Sequence, residues 1–101
     1  MIVLVEQQKD AIAELCRRYN IERLYVFGSA ASDSFDDQRS DLDFLVEFED
    51  LAQGYFDAYF GLLEALEDLF GRPVDLVMSR AVKNRYFLEG IQASRTLLYA
   101  A

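Results

Sequence analysis

The segment VFGSAASDSFDDQRSDLDFLVEF, Val26 to Phe48, carries the reading of this chain. An apolar, β-forming run stops at Gly28-Ser29, a small, polar and acidic loop follows, and a second strand opens on Asp41-Leu42-Asp43. Side chains alternate across a strand, so Leu42, Phe44, Val46 and Phe48 are expected to face a core. Asp41, Asp43, Leu45 and Glu47 then share the other face, with the two aspartates roughly 6–7 Å apart at the backbone.

Outward from this segment the pattern changes period. Val5, Ile12, Leu15 and Tyr19 fall at helical spacing, which predicts one amphipathic helix over about residues 3–19. RLYVFG, residues 23–28, is a short strand stopped by glycine. Residues 30–40 read as a loop, and residues 53–70 as a second helix carrying Phe56, Tyr59, Phe60, Leu63, Leu66 and Phe70. Gly71-Arg72-Pro73 ends that helix, because glycine caps a helix and proline cannot continue one. PVDLVM is a third strand, residues 80–93 a last helix, and TLLYA an extended or frayed end. The expected order is α-β-β-α-β-α: an α/β (α+β) protein with a small mixed sheet flanked by helices, in one domain over residues 1–101.

Composition removes several function classes. With 52% hydrophobic and 14% aromatic residues the chain can bury a core, and disorder is not expected. The net charge of -8 opposes binding of a long nucleic acid, whose affinity comes chiefly from cations neutralising phosphates. A nucleotide carried in as a metal complex escapes that objection. No histidine is present, so Ser-His-Asp and Cys-His catalysis and the usual zinc sites are excluded. The lone Cys16 sits in a helical pattern as a small core residue and cannot form an internal disulfide. No apolar run approaches the ~20 residues of a membrane span, and the start lacks the form of a signal peptide. A cytoplasmic protein without a membrane partner is expected.

On the third strand Val74, Leu76 and Met78 share one face, and Asp75 and Val77 the other. If this strand neighbours the second, Asp75 joins Asp41 and Asp43. Carboxylates crowded together repel and raise one another's pKa, and a hard divalent cation removes that penalty. Taken alone, Asp-x-Asp on a half-exposed strand reads as a solvated face. Gly28-Ser29 at the end of the preceding strand alters that reading, because glycine admits a phosphate close to the backbone and serine offers N–H and hydroxyl donors.

FGSAAS, SDLDFLV and VDLV together resemble the signature of the minimal nucleotidyltransferases, small members of the polymerase-β-like nucleotidyltransferase superfamily. The resemblance implies magnesium-dependent transfer of AMP from ATP to an acceptor hydroxyl. It assigns two magnesium ions to Asp41, Asp43 and Asp75, with Asp75 also helping to deprotonate the acceptor. Gly28 and Ser29 would hold the triphosphate, with Arg39 and Ser40 as further nucleotide-binding candidates. Single-domain members of this family are typically antitoxins of HEPN-type ribonuclease toxins, so the implied acceptor is a toxin tyrosine and the implied partner the toxin. A homodimer is left open.

The match departs from the family in one place. Where the family carries Ala-Arg-Gly after Gly-Ser, this chain has Ala31, Ser32 and Asp33, so the loop arginine is missing. Arg39, Lys83 and Arg85 are candidates to replace it, each also readable as an ordinary surface cation. Ser40 could equally start the strand or orient Asp41. Glu47 is expected to be solvated. Tyr55, Phe56, Tyr59 and Phe60 cover too much of a helix to be core alone, and part of the set is expected at a partner surface. Two further functions therefore stand beside the enzyme: an antitoxin that neutralises its partner by binding, with little or no catalysis, and a small-molecule nucleotidyltransferase of the aminoglycoside type. The second is disfavoured by the lack of an acceptor-binding domain.

Overall fold

The computed structural model describes residues 3–28, 41–49, 54–79 and 84–101. The elements run α1 (Val3–Glu6), α2 (Lys9–Arg18), β1 (Ile21–Phe27), β2 (Leu42–Phe48), α3 (Tyr55–Phe70), β3 (Val74–Met78), α4 (Arg85–Ser94) and β4 (Thr96–Ala100). Among the described residues the strands form one sheet of order β3-β2-β1-β4. β1 is antiparallel to both β2 and β4, whereas β2 and β3 run parallel. A parallel pair needs a crossover, and α3 supplies it.

The alternation expected of β2 holds on its core side. Leu42, Phe44, Val46 and Phe48 are buried with Ile21, Leu24 and Val26 of β1 and Val74 and Leu76 of β3. Val5, Ile12 and Cys16 close over this face from α1 and α2, and Leu62, Leu66 and Phe70 from α3. The Phe44 and Phe70 rings stack with centroids 6.0 Å apart. Gly71 ends α3 at φ 65°, in the left-handed region, and its N–H donates to the Glu67 carbonyl at 2.8 Å.

Three features differ from the sequence reading. The first helix is two: Gln8 donates to the Val5 carbonyl by a tighter bond at 3.1 Å, and Gln7 and Gln8 form a turn between α1 and α2. TLLYA is a paired strand, tied to β1 from Arg23↔Ala100 to Val26↔Thr96. Its partner is about seventy residues away, so local composition could not reveal the pairing. Finally, the second sheet face is not all solvent. Tyr25, Phe27 and Leu45 are buried there under Ile91 of α4, with Val77 packed alongside. Leu45 belongs to this smaller core. The expected loop over residues 30–40 lies outside the described residues.

Candidate active site

The second face of the sheet is organised in rows. Directly opposite residues share a face, so Phe27, Asp43 and Asp75 form one row across β1, β2 and β3. The next row is Tyr25, Leu45 and Val77, and the one beyond pairs Arg23 with Glu47. The acidic row lies where β2 and β3 begin. Asp41 stands one residue before β2, exposed, and Asp75 is the exposed second residue of β3, while Asp43 is half-buried between them.

Gly28 follows β1 in the left-handed region, at φ 67°. A Cβ added there would stand 2.7 Å from Asp43 Oδ2, closer than any real side chain tolerates. The missing side chain is what admits the Asp43 carboxylate against the end of β1. Register and glycine together place backbone and carboxylate side by side.

The electrostatics follow from this crowding. Burial pushes the Asp43 carboxyl up to about 6, and the negative charges of Asp75 and Asp41 add to the effect. The Tyr59 hydroxyl is also raised, chiefly by burial and secondarily by Asp75. Among the described residues, no three acidic side chains are already gathered around one point as a closed metal cage. The structure instead offers an oxygen-only donor set: two carboxylates abreast on adjacent strands and a third one step away. That set suits a hard divalent cation whose remaining positions are filled by phosphate oxygens and water. The negative charges of Asp75 and Asp41 beside Asp43 are what such a cation would offset.

The nucleotide-side candidates Ser29, Arg39 and Ser40 lie outside the described residues, as does Lys83. Arg85, in the first turn of α4, is exposed and pairs with Glu89 one turn on at 3.2 Å, as an ordinary surface cation does. Glu47, expected to be solvated, is instead partly buried and paired. Its carboxylate accepts from Arg23 Nε in a part-buried ion pair across β1 and β2. The sequence reading also missed two contacts from α3. Tyr59 donates its hydroxyl to the Leu76 carbonyl at 2.5 Å, and Glu67 accepts from the Val74 N–H at 3.2 Å. Helical spacing placed Tyr59 among core aromatics, and nothing local showed that it would meet a strand edge.

A cleft of about 180 Å³ lined by Arg23, Glu47, Phe48, Tyr55, Met78 and Ser79 opens at the other end of the strands. Four residues of strand separate Glu47 from Asp43, about 13 Å, so this cleft is not part of the acidic row.

This fold and this row of acids define a class. The nucleotidyltransferase domain model matches residues 9–98, and the chain belongs to that family: it is a nucleotidyltransferase. A Methanocaldococcus jannaschii protein, MJ0128, to which protein adenylyltransferase activity is attributed, is 36% identical over 78 residues, 77% of this chain and 76% of its own. A solved structure assigned as a minimal nucleotidyltransferase is 32% identical, with a TM-score of 0.76 over 91% of this chain and 90% of that one. The fold is also shared, at 20% identity and a TM-score of 0.67, with the complex of a tri-AMPylated Shewanella oneidensis HEPN toxin and an MNT antitoxin. That match covers 95% of this chain and 72% of that one. Among the described residues no helix is long and apolar enough to cross a membrane.

Proposed function

We propose that this nucleotidyltransferase, acting as one domain over residues 1–101 in the cytoplasm, is a protein adenylyltransferase and an antitoxin. It transfers AMP from ATP, with magnesium, to a tyrosine hydroxyl of a HEPN-type ribonuclease toxin, with pyrophosphate leaving as the α–β phosphoanhydride bond breaks, and silences it. The observation that carries the reading is the row in which Asp43 and Asp75 stand abreast beside Gly28. The attributed activity of the 36% identical relative and the AMPylated toxin of the structural neighbour support the same reaction.

In this reading Asp41, Asp43 and Asp75 hold the divalent ions. When bound, those ions would neutralise charge on the phosphates as the displacement proceeds. The rest is positioning by the chain itself. Gly28 and Ser29 hold the triphosphate, with Arg39 and Ser40 as further nucleotide-binding residues. Asp75, exposed on the edge strand, faces the acceptor and takes the proton of its hydroxyl.

The test uses the purified protein with the toxin encoded beside it, ATP labelled at the α-phosphate, and magnesium. Label is expected on a toxin tyrosine, and Asp41→Asn, Asp43→Asn and Asp75→Asn each abolish it. Suppression of toxicity without label overturns the catalytic reading.

One observation favours a second reading, neutralisation by binding alone. Phe56 and Phe60 of α3 are 74% and 48% exposed, and their rings stand 4.7 Å apart at the centroids. Exposed paired aromatics suit a docking surface. Under that reading Asp41→Asn combined with Asp43→Asn still protects cells.

A further inference from the structure

Among the described residues β3 lies at the edge of the sheet, and its five residues carry the acid assigned above to the acceptor side. An edge strand this short has half of its backbone groups turned outward, where they invite fraying or foreign pairing. Backbone direction alternates along the strand. Pro73 turns its carbonyl inward, accepting from the Leu42 N–H at 3.4 Å. Asp75, of the same parity, is therefore bonded towards β2, and its neighbours Val74 and Leu76 turn theirs to the free edge. Of the four outward groups on these two residues, α3 satisfies one on each. Glu67 takes the Val74 N–H at 3.2 Å, and Tyr59 donates to the Leu76 carbonyl at 2.5 Å. The two side chains grip the strand on either side of Asp75, one residue before it and one after.

Both bonds cross from the helix on the core side to the strand edge, while the Asp75 side chain points to the other face. The Tyr59 ring also packs against the core, but its hydroxyl, like the Glu67 carboxylate, is spent on the backbone of β3.

We propose that Tyr59 and Glu67 are positioning residues for Asp75: a two-point clamp that holds the edge strand in register for divalent-ion binding. The proposal rests on the reading of the acidic row given above. Groups that hold a ligand without touching the metal commonly change metal affinity by about 10–100-fold when removed.

The experiment is a Mn²⁺ titration of the full chain, read as free Mn²⁺ by electron paramagnetic resonance, in the presence of a non-hydrolysable ATP analogue. Amide exchange at Val74 and Val77 is followed by NMR in parallel. Tyr59→Phe and Glu67→Ala are expected to weaken Mn²⁺ binding about tenfold and to speed exchange of β3 amides. Glu67→Gln keeps an acceptor oxygen and is expected to restore wild-type affinity. Leu69→Ala, a truncation on the side of α3 that faces Ala11 and Leu15 of α2, controls for lost stability and is expected to leave affinity unchanged. The clamp is overturned if Tyr59→Phe and Glu67→Ala, folded by circular dichroism, bind Mn²⁺ like wild type while Asp75→Asn weakens it. Wild-type affinity in Asp75→Asn itself overturns the metal-site reading, and the clamp with it.

Discussion

The carboxylate of Asp43 occupies the space in which a side chain on Gly28 would lie, with Oδ2 2.7 Å from the missing Cβ. Gly28 directly follows β1 and Asp43 lies in β2, and the Phe27↔Asp43 register of this antiparallel pair brings them together. Gly28→Ala meets two obstacles, the left-handed backbone at φ 67° and the carboxylate itself. A left-handed non-glycine residue costs about 1–2 kcal/mol, so urea unfolding should show a loss of that size. Because Asp43 is the part able to move, Mn²⁺ affinity should fall as well. A variant as stable as wild type would show that the backbone relaxes here.

Asp43 makes the metal-free protein sensitive to pH. Its carboxyl titrates at about 6 in the folded chain, above the ~3.9 of an unfolded aspartate. Between those values the folded state holds a proton that the unfolded state has released, so stability falls as pH rises from about 4 to 6. With partial exposure discounted, the loss is on the order of 1–2 kcal/mol. Asp43→Asn should flatten the profile and raise the melting temperature at pH 7.5 in EDTA, while abolishing transfer. A melting temperature that rises with pH over this window in the metal-free wild type would contradict the assignment.

Cys16 is fully buried in α2, and burial pushes its thiol up to about 12. The thiolate needed for alkylation is then scarce at pH 8 and the sulfur inaccessible. The native protein should leave a disulfide-exchange reagent such as DTNB unreacted for hours and consume one equivalent on unfolding in guanidinium. Rapid native reaction would show that α2 opens locally.

Gly61 sits in the middle of α3, where alanine ordinarily stabilises a helix by about 1 kcal/mol. Here a Cβ would stand 2.5 Å from Tyr19 Cε1, in contact with the ring that follows α2. Overpacking of that kind costs about 1–3 kcal/mol, so Gly61→Ala should be neutral to destabilising. In a Tyr19→Leu background the same substitution should become stabilising. The sign reversal, measured by urea unfolding, is the check.

The core side of β2 was legible in the sequence because alternation is local: Leu42, Phe44, Val46 and Phe48 are buried as their spacing requires. The same rule put Leu45 and Glu47 on the right face but could not show what covers them there. Burial of Leu45 depends on Ile91 of a helix forty-six residues later, and the Glu47 partner Arg23 becomes visible only once the β1–β2 register is fixed. The candidate site followed the same division. Asp41 and Asp43 could be paired from one strand, whereas placing Asp75 beside them required β3 to be the parallel neighbour of β2, as it is. The hold of Tyr59 and Glu67 on the edge of β3 had no local signal, since both residues fit an ordinary amphipathic helix.

Thirty-two positions separate Asp43 from Asp75, and only the docked edge strand brings them abreast. An unfolded or half-assembled chain has no such neighbouring acids to offer. A divalent ion would therefore select the finished fold, adding stability in proportion to the logarithm of its concentration over its dissociation constant. The cell's magnesium supply would then help set how long the protein survives proteolysis, apart from any reaction it performs.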